Sequence, residues 1–364
     1  MESTSAGGCS IRRDLSSPAQ KSRSLLRAML ALRSKPQRMS GAGSFFAVSH
    51  PARRVPLEIQ THSYLFIPNY AAYAQQSVQF LRGRLNLTGG LRWDYFRWTD
   101  DDQVNPNVSG TLNANKFQPK AGISYVPSSK VPLNLSFNFG RGINTQDARG
   151  IVEMPHSPRI ATTNFYQLGA AHNAHRFSVS ADTFLIDRSN EQVYIPDDGT
   201  LEFKGPSRSY GYEAKGSVRV NRYLAVNASI TKVTQSFFLG TVPRVYVDSA
   251  PHNVEDAGVT LSGWRGFYSS LRWRHVGNYR LDGLDADIRA SGLDVVDFAV
   301  TKRIRPWVEF SFDIDNLTDK QYYETQNYFE SRVTPTAPAL DRIHATPGYP
   351  VGFTAGLTFR LHAK

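Results

Sequence analysis

Leu85-Asn86-Leu87-Thr88-Gly89-Gly90-Leu91-Arg92-Trp93-Asp94-Tyr95 is the stretch whose reading decides the fold. The odd positions are Leu85, Leu87, Gly89, Leu91, Trp93 and Tyr95; the even positions are Asn86, Thr88, Gly90, Arg92 and Asp94. Alternation of period two places one set on each face of a β-strand. The same pattern runs through Tyr210–Val220 and Val308–Asn316. A soluble sheet also alternates, so the composition of each face matters. Here the polar face carries full charges, and the apolar face carries small residues such as Ala214 and Gly216. A barrel in lipid needs an uncharged outer surface and tolerates a wet, charged lumen.

Outward from this stretch, the chain reads as paired strands from about Tyr70 to Leu361. Short links fall near Arg82–Arg84, Val126–Val131, Asn173–Arg176, Asn221–Arg222, Gly263–Trp264 and Ile304–Pro306. Long polar links fall near Arg97–Lys116, Arg141–Thr162, Arg188–Arg208, Gln235–Pro251, Gly277–Ser291 and Thr318–Gly348. Tight turns on one rim and long loops on the other characterise an up-and-down outer-membrane barrel. The expectation is therefore an all-β, transmembrane antiparallel up-and-down β-barrel. Tyr95, Tyr210 and Tyr212 fall near the long-loop rim, and Tyr125 and Phe359 near the short-turn rim, as two interfacial girdles require.

The totals agree. Mean hydropathy is negative, and no run of about eighteen apolar residues exists to form a transmembrane helix. Barrel strands hide their apolarity in alternation. The net charge of +11 comes largely from residues before Val55, where Arg12, Arg13, Lys21, Arg23, Arg27, Arg33, Lys35, Arg38, Arg53 and Arg54 lie. Nucleic-acid binding is therefore not inferred from the charge. The single cysteine, Cys9, excludes an internal disulfide framework and a thiolate zinc cluster.

Met1–Pro56 is rich in Ser, Arg and Ala and lacks strand alternation. The Leu25–Leu32 run is interrupted by Arg27 and closed by Arg33, with no cleavage site after it. Residues 1–60 are expected to be a basic, disordered leader, and residues 61–364 a barrel.

A resemblance rests on motifs in a fixed order. Tyr73-Ala74-Gln75-Gln76-Ser77 precedes Gly90-Leu91-Arg92-Trp93-Asp94, and Phe117-Gln118-Pro119-Lys120-Ala121-Gly122-Ile123-Ser124-Tyr125 follows. Near the end, Val308–Asp315 runs into Asn316-Leu317-Thr318-Asp319-Lys320-Gln321-Tyr322, and Pro347-Gly348-Tyr349-Pro350 opens the last strand. The order and spacing resemble the TonB-dependent outer-membrane receptors. Asn316, Leu317, Asp319, Tyr322, Pro347, Gly348 and Phe359 are the structural positions that carry over. Leu361-His362-Ala363-Lys364 extend past Phe359, a departure from the aromatic residue on which that family ends.

The resemblance implies a bacterial outer-membrane location, a lipid surround and energy-coupled import of a bulky nutrient. Iron-siderophore, cobalamin and glycan cargo all stay open. About thirteen strands are expected here, whereas plugged transporters have about 22. The chain would then be the C-terminal part of a longer barrel. Contact with TonB would need a plug supplied by a longer chain. The alternative is a truncated, non-transporting remnant. No cofactor and no enzymatic activity are expected, because no catalytic signature is present.

Ligand contacts are expected from the long loops. Arg141, Arg149, His156 and Arg159 share one of them and could meet an anionic chelate. Ordinary loop charge is the competing reading. Asp100-Asp101-Asp102 is read as a solvated loop tip rather than a calcium site. His172 and His175 flank a tight turn without a third metal ligand. Arg92, Glu213, Lys215, Arg219, Arg272, Arg274, Asp297, Glu309 and Asp313 are expected to form a structural network on the inner wall.

Overall fold

The structure is a computed structural model, and it describes residues 10–11, 25–33, 37–39, 62–145, 148–153, 156, 158–195, 200–334 and 337–360. Among the described residues, the main sheet has seventeen strands, of which the thirteen from Asn69 onward are numbered here. They are β1 Asn69–Phe80, β2 Leu85–Asp102, β3 Gly110–Tyr125, β4 Leu133–Thr145, β5 Ile160–Asn173, β6 Phe177–Arg188, β7 Ser207–Arg219, β8 Leu224–Phe238, β9 Asn253–Trp264, β10 Phe267–Val276, β11 Leu293–Arg305, β12 Val308–Asp315 and β13 Gly352–Phe359. The chain divides into two compact units. The first comprises Met1–Tyr125, Ser136–Tyr166 and Ile186–Ser207; the second comprises Val126–Leu135, Gln167–Leu185 and Arg208–Lys364. No helix among the described residues is long and apolar enough to cross a membrane.

In the first unit the register confirms the alternation. β1 pairs antiparallel with β2, and β2 with β3. Val78, Leu87 and Ile123 line up across the three strands, as do Ala74, Leu91 and Pro119, and Ala72, Trp93 and Phe117. This face is bounded by Phe80, Leu85 and Tyr125 at the short-turn end. At the other end Tyr70 and Tyr95 lie with ring centroids 6.3 Å apart. Ten residue steps at about 3.3 Å, tilted by about 40°, give an apolar band about 25 Å tall, the height lipid requires.

The second unit repeats the scheme. Consecutive strands β8 to β12 pair antiparallel, and β12 pairs with β13. Val226, Val259, Leu271, Phe298 and Ile314 share one face, and Phe353 stands opposite Ile314. Phe353 is 66% exposed and Leu357 61%, which water would not favour for such a row but lipid does. Near the long-loop end this face turns polar. His275 Nδ1 lies 2.9 Å from Asp294 Oδ1, and Trp273 Nε1 donates to the same carboxylate oxygen at 3.2 Å. A tryptophan with an apolar body and a bonded N–H marks the membrane boundary.

Three sequence readings change. The Arg97–Lys116 link is not a loop, because β2 and β3 stay paired as far as Asp100 opposite Gly110. Consequently Asp100 is a buried strand residue rather than part of a solvated tip. The cause is the polar face of β2, which becomes apolar at Phe96 and Trp98. Helix α1, Ala148–Glu153, packs there. Leu65, Trp98, Ala148, Ile151 and Ile160 form a buried cluster of their own, with Trp98 0% exposed. Finally, Leu25–Arg33, inside the expected disordered leader, is a strand paired antiparallel with Asn69–Ser77. An apolar run on the open side of β1 satisfies that strand's backbone donors. The rest of the leader lies outside the described residues, apart from the short pieces Ser10–Ile11 and Gln37–Met39, as does Leu361–Lys364.

Removing the indole should loosen α1. Trp98→Ala is expected to cost about 3 kcal/mol, as large-to-small changes in tight cores do. Limited proteolysis would read it as faster cleavage between residues 145 and 160. Cleavage at the wild-type rate would show that the cluster does not hold the loop.

Candidate functional site

Two of the sequence motifs meet at one carboxylate. Arg92 and Asp94 share the inner face of β2, two residues apart. The Arg92 guanidinium donates to both Asp94 oxygens, at 2.6 and 2.7 Å. Gln118 Nε2 from β3 donates at 2.5 Å, and Asn69 Nδ2 from β1 at 3.2 Å. Asp94 is 2% exposed, so its charge is matched by a bidentate partner and two amides. Thus the Gly90–Asp94 and Phe117–Tyr125 motifs hold three strands at a fixed spacing.

The other two motifs meet at Asn316. This residue is 2% exposed and has φ of 51°, a conformation that asparagine tolerates better than most residues. Its Nδ2 donates to Lys320 O at 2.9 Å and to Tyr349 O at 3.0 Å, while Oδ1 accepts from Lys320 N at 2.9 Å. Its backbone N–H donates to Asp297 Oδ1 at 3.1 Å. Asp319 accepts from Val351 N at 3.1 Å. Gly348 N donates to Tyr322 O at 2.8 Å. A Cβ on Gly348 would stand 2.3 Å from the Tyr322 ring, so only glycine fits. These residues clamp both ends of the last long loop. Beside them, a cavity of about 300 Å³ is lined by Arg274, Asp297, Tyr322, Glu324 and Tyr349. Arg274 is paired with Asp297 at 3.0 Å. Burial, then the adjacent Glu324 carboxylate, pushes the Tyr322 phenol above its usual pKa. Phe359 lies opposite Val308 and stacks near Trp307 at 6.4 Å. Leu317 is exposed but donates its backbone N–H to Val296 O at 2.6 Å.

Three long loops of the second unit are stitched into a platform. In the β8–β9 loop, Tyr246 N donates to Gly283 O and Ser249 N to Arg280 O, both in the β10–β11 loop. Gln326, from the hairpin of Tyr323–Ser331 and Leu340–Pro347, exchanges two hydrogen bonds with the Ser291 backbone, at 2.8 and 3.0 Å. Around this platform stand Lys232, His252, Arg280 and Arg289. The guanidinium of Arg280 lies 4.5 Å from the Tyr246 ring centre. His252 is held below its ordinary pKa, first by burial and then by Lys232, Arg280 and Arg289. Among the described residues, none of these four forms an ion pair.

The loop residues singled out from sequence lie in the first unit. Arg141, at the end of β4, donates from Nε to Asn164 Oδ1 at 2.8 Å. Arg159 donates to Asn113 O at 2.5 Å. His156 is exposed, and Arg149 lies in α1. Two of the four therefore brace neighbouring strands. The predicted wall charges do pair in places. Besides Arg92 with Asp94 and Arg274 with Asp297, Glu309 lies 3.6 Å from Arg303 and 3.2 Å from Arg360. His172 stacks on Phe177 at 5.2 Å. Sequence reading missed the group around His252. Its members sit 20, 28 and 9 positions apart along the chain, and no local pattern signals them.

A sequence-family model described as TonB dependent receptor-like, beta-barrel matches residues 41–317. No curated protein matches the chain. Among solved structures, the ferric preacinetobactin receptor BauA from Acinetobacter baumannii gives a TM-score of 0.67 at 14% identity, covering 97% of this chain and 52% of that one. The copper transporter OprC gives 0.66 at 17% identity, over 93% and 53%. The ferric citrate transporter FecA, unliganded, gives 0.65 at 15% identity, over 93% and 55%. These likenesses carry the fold, and the chain spans about half the length of the structures it matches. With the family matched over most of its length and the barrel faces, rims and motif clamps in place, the chain belongs to the TonB-dependent receptor-like β-barrel family of the bacterial outer membrane, whose members are transporters rather than enzymes.

Proposed function

We propose that this barrel portion serves energy-coupled uptake of a bulky nutrient, with a metal-siderophore complex as cargo. The observation that supports it most is the stitched, cation-bearing platform at the long-loop ends of a lipid-facing wall. A rim built to stay rigid and rich in unpaired positive charge suits an anionic chelate better than a neutral sugar. The similar structures are named for ferric chelates and for copper, which fits the same cargo class. Energy input would come from TonB, acting through a plug domain carried by a longer chain. In this reading residues 61–364 are wall and rim. Arg141, Arg149, His156 and Arg159 then contribute a second charged edge.

Deleting the encoding gene and supplying iron only as single ferric chelates tests the proposal. Growth on at least one chelate should fall to background and return on complementation. Unchanged growth on every chelate would refute it. In the complemented strain, Arg141→Ala with Arg159→Ala is expected to lower chelate uptake about tenfold if those residues contact cargo. Wild-type uptake would assign them to bracing alone.

A further inference from the structure

We propose that the turn joining β9 to β10, together with Lys302 of β11, binds the phosphate of an anionic phospholipid in the leaflet at the short-turn rim. In an outer-membrane barrel this is the periplasmic side. The site lies on the outer wall and is independent of cargo and of TonB. The lipid-facing surface of the second unit ends there in a charge. Leu271, Phe298 and Ile314 share the apolar face, and Phe267, Lys302, Phe310 and Leu357 lie in register four residues nearer the short turns. The row between them is Ser269, Val300, Phe312 and Ala355. Lys302 is therefore the one charged residue in these rows. An ammonium on a lipid face is strongly unfavourable at mid-membrane and nearly neutral at the headgroups. Lys302 Nζ lies 3.9 Å from the Phe267 ring centre and donates to Arg265 O at 2.5 Å, in the turn.

That turn is fixed in place. Gly263, Arg265 and Gly266 have φ of 75°, 50° and 80°, and a Cβ on Gly266 would stand 3.0 Å from Arg303 O. Arg303 N donates to Gly266 O at 2.9 Å. The turn so held sets a second cation beside the first. The Arg265 guanidinium lies 5.5 Å from the Trp264 ring centre, and the Trp264 and Phe267 rings are 6.3 Å apart. Two cations and two aromatic rings thus form a closed group on the lipid side of the rim. No carboxylate answers them. Glu309 is opposite Arg303 in register, on the other face, and lies 3.6 Å from Arg303 and 3.2 Å from Arg360. Among the described residues neither Lys302 nor Arg265 forms an ion pair. Ammonium and guanidinium donors remain for phosphate oxygens. Trp264, 45% exposed, and Phe267 offer an apolar surface to the glycerol and first acyl carbons. A zwitterionic headgroup would bring its own ammonium among the cations, so the charge favours an anionic lipid.

Native mass spectrometry of the full chain in detergent, given equal amounts of phosphatidylglycerol and phosphatidylcholine with the same acyl chains, tests the site. Phosphatidylglycerol should be retained about tenfold more than phosphatidylcholine, the scale of two cations at a membrane surface. Lys302→Met suits the lipid face and should fold; its preference should fall to about threefold. Adding Arg265→Gln should abolish the preference, and Lys302→Arg should keep it. Heat-modifiable electrophoretic mobility shows that each variant is folded. Excess inorganic phosphate should leave the wild-type preference unchanged, because the acyl chains add their own hold. Equal retention of the two lipids by the wild type, or full preference in Lys302→Met and in the double variant, would overturn the site. Loss of the preference in inorganic phosphate would overturn it as a lipid site and leave a free-phosphate one.

Discussion

Asn316→Ala is expected to destabilise the barrel by about 4 kcal/mol. The side chain, 2% exposed, makes three hydrogen bonds, each worth about 1 kcal/mol net when its partner is left unpaired. Alanine in a left-handed conformation adds about 1 kcal/mol more. Losing the clamp would release the start of the last loop from Tyr349 and hence from the first residues of β13. Asn316→Asp keeps the acceptor for Lys320 N but loses both donors, so its cost should fall between wild type and alanine. Urea unfolding of the refolded protein in detergent, followed by tryptophan fluorescence, measures both. A shift below about 1 kcal/mol for the alanine variant would mean the loop ends are held by Asp319 and Gly348 instead.

Asp94→Ala is expected to cost about 3 kcal/mol in the same assay. The carboxylate is buried, so its loss leaves the Gln118 amide without this acceptor, leaves Asn69 with only the Tyr95 carbonyl, and leaves a guanidinium without its counter-charge. The figure is set below that of a fully buried pair because the Arg92 side chain is 38% exposed and water can reach it. A double-mutant cycle with Arg92→Ala should give a coupling of about 1–2 kcal/mol. Additivity within about 0.5 kcal/mol would show that Arg92 and Asp94 act independently. Both effects concern β1–β3, so Gln118→Ala should reproduce part of the loss without removing any charge.

Much of this was legible in residue order, for a reason of geometry. A strand's side chains alternate whatever surrounds it, so Leu87, Leu91 and Trp93 declare a face before any partner is known. Lipid then requires that face to be uncharged, which separates a membrane wall from a soluble sheet. The turn motif at Asn316–Tyr322 was equally readable as a turn, since asparagine and aspartate bond nearby backbone.

Residue order could not show which distant groups complete each motif. Asp94 looked like one more inner charge, yet it binds three strands together. The Arg97–Lys116 link read as polar loop because Phe96 and Trp98 were counted without the helix that covers them. The four ligand candidates read alike as loop charges, and residue order does not show that Arg141 also donates to Asn164 and Arg159 to the Asn113 carbonyl. The cationic group at His252 is the reverse case, invisible in sequence and assembled only when two loops bond to each other. By itself the sequence determined the strands, their two faces and the membrane they suit, because these depend on neighbours one or two positions away. Only the tertiary structure decided which polar side chains are clamps and which stand unpaired, because burial and hydrogen-bond partners come from strands and loops far apart in the chain.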